Sequence, residues 1–307
     1  MTMLNGRILV TGAGGQLGSV LLAQLLRGGS DAVGTVSPTG PRPRTGRTVV
    51  CDLGRVDSIA ECVRSVRPSR IIHAGAMTSV AACYERPDDA RRINADATVR
   101  LVELADELSA VLLLTSTDLV FDGSSGAYRE TDVPSPVSIY GRSKLAAEQA
   151  AIGYPRGVVA RLPLMYGLPD VERETTFRSQ LASLVDGRPL HLFTDEYRSP
   201  LALDDACTAI VTLLQSDCRG LLHCGGPQRL SRFQMGELAA AALGARADLL
   251  VPSTQAALGA PEPRPADVSL RSERFEAMFG RPVGCTMAER MPAIAAAFLT
   301  NRGRTGV

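Results

Sequence analysis

The chain has 307 residues, long enough for one large domain or two moderate ones around a sizeable core. Its 33 basic and 32 acidic residues leave a formal net charge of +1, so charge gives no case for nucleic acid or a membrane surface as partner. The seven cysteines, at positions 51, 62, 83, 207, 218, 224 and 285, form no Cys-x-x-Cys pair, and free thiols in a reducing cytoplasm are expected.

Residues 1–6 lack a charged start and an apolar core, and no apolar run reaches membrane-spanning length. The expectation is a cytoplasmic protein with neither signal peptide nor membrane span. Arg7-Ile8-Leu9-Val10-Thr11 is a short apolar run with β-branched residues, followed by Gly12-Ala13-Gly14-Gly15-Gln16-Leu17-Gly18. Residues 19–27 then show helical apolar spacing and stop at Gly28-Gly29. Glycines at 12, 15 and 18 let the backbone turn tightly and approach a pyrophosphate held at a helix N-terminus. Such a turn can also be only a turn; the strand before it and the helix after it supply the context of a dinucleotide site.

Residues 32–36 and 48–51 read as the second and third strands. The second ends Val36-Ser37-Pro38, with no acid to hold a ribose 2′-hydroxyl, and Arg42 and Arg44 follow closely. Ser37 with either arginine suits a 2′-phosphate, which favours NADPH over a possible NADH; the alternative is that these arginines are merely solvated.

Helical stretches at 56–67, 90–108 and 143–151 alternate with strand candidates at 70–73, 111–115 and 158–161. Near-continuous apolar strands separated by helices imply a parallel sheet covered on both faces, an α/β, Rossmann-type doubly wound fold. After Tyr166-Gly167 the pattern loosens and proline becomes frequent. Residues 1–165 are therefore read as a dinucleotide-binding domain whose sheet is completed by about residues 196–226, with a returning strand at 220–224. Residues 166–195 and 227–307 are read as a smaller, interleaved C-terminal lobe with a polar tail, 300–307, that frays. His73, His191 and His223 lie far apart in apolar runs and are expected as core or strand-end residues; no metal site is expected.

The fifth strand ends in Thr115-Ser116-Thr117-Asp118-Leu119. A hydroxyl there, Thr117 first and Ser116 second, can hydrogen-bond a substrate oxygen that a tyrosine also reaches. The plainer alternative is sheet threonines before a turn at Asp122-Gly123. Farther on stands Tyr140-Gly141-Arg142-Ser143-Lys144, and Lys144 is the only lysine among the 33 basic residues. Positions i and i+4 of a helix share a face, so Tyr140 and Lys144 point the same way. A compact ammonium can lie beneath a small ring and lower the pKa of a neighbouring phenol, which a planar guanidinium is not shaped to do. A surface i,i+4 pair is the alternative.

These segments together resemble the extended short-chain dehydrogenase/reductases, and within them the dTDP-4-dehydrorhamnose reductases. The resemblance is carried by residues 8–18, Cys51-Asp52-Leu53, residues 116–123, Tyr128-Arg129-Glu130, residues 140–145 and 161–167, and Arg198-Ser199-Pro200. It implies Thr117, Tyr140 and Lys144 as a catalytic triad, and Gly12, Gly15, Gln16, Leu17 and Gly18 as the pyrophosphate turn. Asp52 and Leu53 would meet the adenine, and Ala74, Gly75 and Ala76 would flank the cofactor. Pro163 and Met165 would lie by the nicotinamide. Substrate contacts would come from Ser116, Thr117, Asp118 and Tyr140, with Arg198 on a diphosphate or instead paired structurally with Asp204 or Asp205.

The activity implied is NADPH-dependent reduction of the 4-keto group of a dTDP-4-keto-6-deoxyhexose, by a homodimer. Tyr140 would donate the proton, Thr117 would orient the oxygen, and Lys144 would hold the nicotinamide ribose and keep the tyrosine acidic. The sugar-nucleotide dehydratases of this superfamily carry Thr-Asp-Glu where this chain has Thr117-Asp118-Leu119, so dehydration is not expected. Other departures touch the substrate pocket. Val80-Ala81-Ala82-Cys83-Tyr84 lacks both acids of the reductases' Val-Asp-x-x-Glu, and Glu174-Thr175-Thr176-Phe177 lacks an asparagine before the phenylalanine. An NAD(P)-dependent sugar-nucleotide epimerase and a cofactor-binding regulatory subunit, like the β subunit of methionine adenosyltransferase, are the other readings.

Overall fold

The computed structural model describes residue 4, residues 6–257 and residues 262–305. Seven strands build the central sheet: β1 (Ile8–Thr11), β2 (Ala32–Val36), β3 (Thr48–Val50), β4 (Arg70–His73), β5 (Val111–Thr117), β6 (Gly157–Leu162) and β7 (Gly220–His223). Their order is β7-β6-β5-β4-β1-β2-β3, and every pairing is parallel. This is the doubly wound arrangement expected from the alternating apolar runs. Side chains alternate across it: Ile8, Val10 and Leu113 pack with Leu17–Leu25 of α1 (Gln16–Arg27) and with the later helix Leu203–Gln215. Leu9, Leu112 and Leu114 pack on the other face against the helices Val56–Val66 and Ala97–Glu107. Strand order reverses between β1 and β4, and a crevice opens beyond the strand C-termini at that switch point.

Short strand pairs tie the later part of the chain together. Met165–Tyr166 runs parallel to Leu201–Ala202, Tyr197–Arg198 antiparallel to Leu230–Ser231, and Leu190–Phe193 parallel to Leu250–Ser253. A third core, including Phe177, Leu181, Met235, Met291 and Phe298, fills the space between them and the helices Thr176–Val185, Arg232–Leu243 and Met287–Thr305.

Three expectations are corrected. The stretch 90–108 is not one α-helix: Pro87–Ala90 leads into a π-helical turn, Arg91–Asp96, before Ala97–Glu107. Wider turns of this kind rotate a side chain off the regular helical face, here Asn94. The helix expected at 143–151 begins earlier, at Ile139, because the Ser138 hydroxyl accepts from Gly141 N–H at 3.0 Å and caps it. The polar tail expected from Thr300 is helical as far as Thr305; residues 306 and 307 lie outside the described residues. Six cysteines are buried and Cys285 is half-buried; His73 and His223 are buried, whereas His191 is exposed.

Candidate active site

The glycine turn is required by close approach. Gly12 sits at φ +71, and a Cβ there would lie 2.5 Å from Gly75 Cα. A Cβ on Gly18 would collide with the Gly12 carbonyl oxygen, so helix α1 can start this near β1 only without one. The α1 N-terminus carries no acidic residue in its first turn and no side-chain cap, which leaves its leading N–H groups and dipole facing the crevice. Thr11 Oγ1 lies 2.7 Å from His73 Nδ1 and accepts from Gly75 N–H at 3.1 Å, locking the ends of β1 and β4 together.

A continuous cavity of about 670 Å³ runs along these strand ends. Gly12, Gly15, Gln16, Leu17, Gly18, Ser37, Asp52, Leu53, Ala74, Gly75, Ala76, Pro163 and Met165 all line it. Arg42 and Arg44 do not. Arg42 donates to Thr48 Oγ1 at 3.0 Å, and the Arg44 backbone N–H is bound to Asp170 O at 2.9 Å as the loop crosses toward Val171. The Pro41 carbonyl closes the loop over Gly14, and of the three only Ser37 lines the cavity.

At the other end of the cavity stand Ser116, Thr117, Asp118, Tyr140, Lys144 and Arg198, all buried. The Thr117 hydroxyl donates to Asp118 Oδ1 at 3.1 Å and accepts from Leu119 N–H at 3.1 Å. Burial pushes the Tyr140 phenol well above its ordinary value, while the neighbouring Thr117 hydroxyl works against that shift. The cause is low-dielectric packing against Cys83 and Ala90, and Lys144 is not among the groups that shift the phenol. Burial lowers Lys144 to about 8, opposed by Glu148 one helical turn on, whose carboxylate is clamped by Arg161 at 2.9 and 2.7 Å. Burial raises Asp118 to about 6 against the attraction of Arg198. Asp118 Oδ2 and Ser116 Oγ are buried with no hydrogen-bond partner among the described residues. Such groups facing a cavity are a demand for a polar ligand or water.

Arg198 does not pair with Asp204 or Asp205; Asp205 is bound by Arg290. It lies between Asp118, 3.8 Å from its Nε, and Glu196, 3.2 Å from an Nη. Glu196 also receives Arg232 at 2.8 Å and Arg264 at 2.7 Å, and all three arginines line the cavity. Arg232, Arg264 and Glu196 carry no local signature, since they meet only through three separate elements. Asn94 was also not singled out by spacing, although a buried amide within Ile93-Asn94-Ala95 has poor helical propensity and is a usable signal. Among the described residues no cluster of His, Cys, Asp and Glu could hold a metal, and no helix is long and apolar enough to cross a membrane.

The model of the RmlD substrate binding domain matches residues 6–296. A probable low-salt glycan biosynthesis reductase, Agl14, of Haloferax volcanii is 31% identical over 301 residues, covering 94% of this chain and 97% of that protein. The methionine adenosyltransferase 2 subunit beta of Pongo abelii is 29% identical over 276 residues, covering 86% and 80%. Among solved structures, a dTDP-4-dehydrorhamnose reductase from Bacillus anthracis in complex with NADP superposes with a TM-score of 0.84 at 23% identity, covering 96% of this chain and all of that one. That likeness is one of fold.

Proposed function

We propose that this chain, which belongs to the RmlD substrate binding domain family, uses NADPH to reduce the 4-keto group of a nucleotide-activated 4-keto-6-deoxysugar, a dTDP sugar first among them. The observation that carries this reading is the buried set Thr117, Tyr140 and Lys144 at one wall of a cavity whose opposite end is the glycine turn. The residues present fit a dinucleotide: bare helix N–H groups and close-packed glycines for a pyrophosphate, and Asp52 and Leu53 for an adenine. The cofactor, when bound, supplies the hydride.

The chain's own part is positioning and proton delivery. Tyr140, held in its proton-bearing form by burial, donates to the oxygen of the reduced carbon. Thr117 turns its hydroxyl from Asp118 to that oxygen. Lys144, cationic at neutral pH with a value of about 8, binds ribose hydroxyls. Asp118 Oδ2 and Ser116 Oγ, both without a hydrogen-bond partner among the described residues, receive sugar hydroxyls. Arg232 and Arg264, half-exposed on the cavity wall, take the diphosphate, while Arg198 is engaged with protein groups. Residues 166–195 and 227–307 then form the lobe that holds the sugar nucleotide.

NADPH is preferred because Ser37 faces the cavity where an acid would reject a 2′-phosphate. Leu119 packs between apolar clusters, so the strand end has no second acid for water elimination. A regulatory role as a binding subunit is favoured by one finding, the 29% identity with methionine adenosyltransferase subunit beta.

The deciding experiment is NADPH consumption by the purified protein given a dTDP-4-keto-6-deoxyhexose, with Tyr140→Phe as control. Oxidation that collapses in the variant supports the reductase. NADPH binding without turnover of any nucleotide sugar sinks it in favour of the regulatory role, and interconversion of sugars without net oxidation points to an epimerase. Sedimentation of the same sample tests the expected homodimer.

A further inference from the structure

We propose that Glu196 is the positioning residue of the substrate's anion subsite: its buried carboxylate sets the two cavity-facing guanidinium groups that meet a diphosphate. The inference rests on the reading that a nucleotide-linked substrate occupies this cavity. Glu196 is fully buried at the start of the short strand Tyr197–Arg198, and no single element accounts for the charges around it. Arg198 comes from that strand, Arg232 from the first position of the helix Arg232–Leu243, and Arg264 from the segment that follows residue 262. One oxygen takes Arg232 Nε at 2.8 Å and Arg198 at 3.2 Å; the other takes Arg264 Nε at 3.0 Å and Nη2 at 2.7 Å. The Arg232 backbone N–H donates to the Glu196 carbonyl at 3.1 Å, so helix and strand are also joined through the main chain. Burial alone would raise this carboxyl, but the three guanidinium groups overcome it and hold it at about 2, ionised at any working pH.

The roles of the three arginines separate by what they have left to give. Arg198 is engaged with protein: its Nη1 donates to the Tyr197 and Pro265 carbonyls at 2.7 and 3.4 Å, its Nη2 forms an ion pair with Glu196 at 3.2 Å, and its Nε faces Asp118 at 3.8 Å. Arg232 and Arg264 keep 26% and 32% of their side-chain surface open. Among the described residues, both Nη groups of Arg232 and Nη1 of Arg264 make no protein hydrogen bond. Arg264 is further braced over the Phe193 ring at 5.3 Å. Three like charges on separate elements repel one another, and flexible arginines would splay into solvent without a common anchor. Glu196 supplies that anchor while leaving an excess of positive charge, so the pair is oriented before any anion arrives and its ordering cost is already met.

Charge and orientation predict opposite signs, and the test uses that. Glu196→Gln in the full-length protein removes a negative charge that repels an anion, so if Glu196 only tuned charge, anion affinity would rise. As an anchor, glutamine keeps one acceptor but turns an amide N–H₂ toward a guanidinium, and affinity falls. We expect the Kd for dTDP, UDP and inorganic pyrophosphate, each measured by calorimetry, to rise at least tenfold in Glu196→Gln, with NADPH affinity unchanged. Unchanged or tighter binding of these probes by the variant, with NADPH still bound, overturns the proposal. So does a wild-type protein that binds none of the three. Wild-type binding of pyrophosphate as tightly as the nucleotides would instead remove the nucleotide-sugar reading and leave the anchor role standing, provided the variant loses it. If Glu196→Gln does not fold, Glu196→Asp, which keeps the charge but is one methylene too short to reach all three arginines, must show the same selective loss.

Discussion

Asn94 Nδ2 donates to Ser143 Oγ at 2.9 Å, joining a π-helical turn to the residue just before Lys144 on the helix Ile139–Ile152. The same amide closes a two-way clasp on Met77, accepting from its N–H at 2.8 Å and donating to its carbonyl at 3.0 Å. Ser143 Oγ in turn donates to the Tyr140 carbonyl at 2.7 Å. One buried side chain therefore sets the distance between the β4 strand end and the tyrosine helix.

Asn94→Ala leaves the Met77 main-chain groups and the Ser143 hydroxyl without that partner in a buried place. The expected cost is about 2–4 kcal/mol of folding stability, the scale for several lost buried hydrogen bonds. Urea unfolding measures it; a loss under about 0.5 kcal/mol, within the range of ordinary surface substitutions, would mean that water replaces the amide.

Tyr140→Phe removes only the proton donor and keeps the ring that packs on Cys83 and Ala90. Turnover is expected to fall about 10²–10⁴-fold, the usual contribution of a positioned acid, with NADPH affinity nearly unchanged. Steady-state kinetics beside fluorescence titration separates the two. Equal loss of binding and rate would assign the phenol a structural part instead.

Lys144→Met exchanges a buried ammonium for an apolar chain of similar length. Burial costs the charged form, so the variant without cofactor is expected to be more stable at pH 7, by on the order of 2 kcal/mol. The folded-state value is depressed to about 8 from 10.5, so between these the unfolded chain holds more protons and wild-type stability rises with pH. The gap between wild type and variant should thus close as pH rises through that window, and thermal unfolding at several pH values follows it. NADPH affinity should drop in the variant throughout.

Gly18→Ala puts a methyl group against the Gly12 carbonyl oxygen, and backbone cannot swing aside as a side chain would. Overpacking of this kind costs about 1–3 kcal/mol, and the shifted turn should abolish NADPH binding. Retained affinity in a folded Gly18→Ala protein would show that the glycines serve the packing of β1 on α1 and not the cofactor.

Local chemistry made much of this molecule legible from its sequence. Unbroken apolar strands can be buried only between two layers of helices, and glycines at 12, 15 and 18 permit one tight strand-to-helix turn, so sheet and crevice follow from short-range rules. Tyr140 and Lys144 are neighbours by helical geometry alone, and Tyr140 lies beside Thr117 because β5 ends beside that helix. Tertiary structure decided what depends on long-range encounter and on solvent. Arg42 and Arg44 follow the second strand closely in the chain, yet neither lines the cavity, and the Arg42 side chain donates to Thr48 Oγ1. The tyrosine's shift went upward because burial, which no local pattern reports, outweighed its neighbours. Arg198, Arg232 and Arg264 converge on Glu196 from as far as 68 residues away, and only packing of the third core brings those charges within reach of one carboxylate.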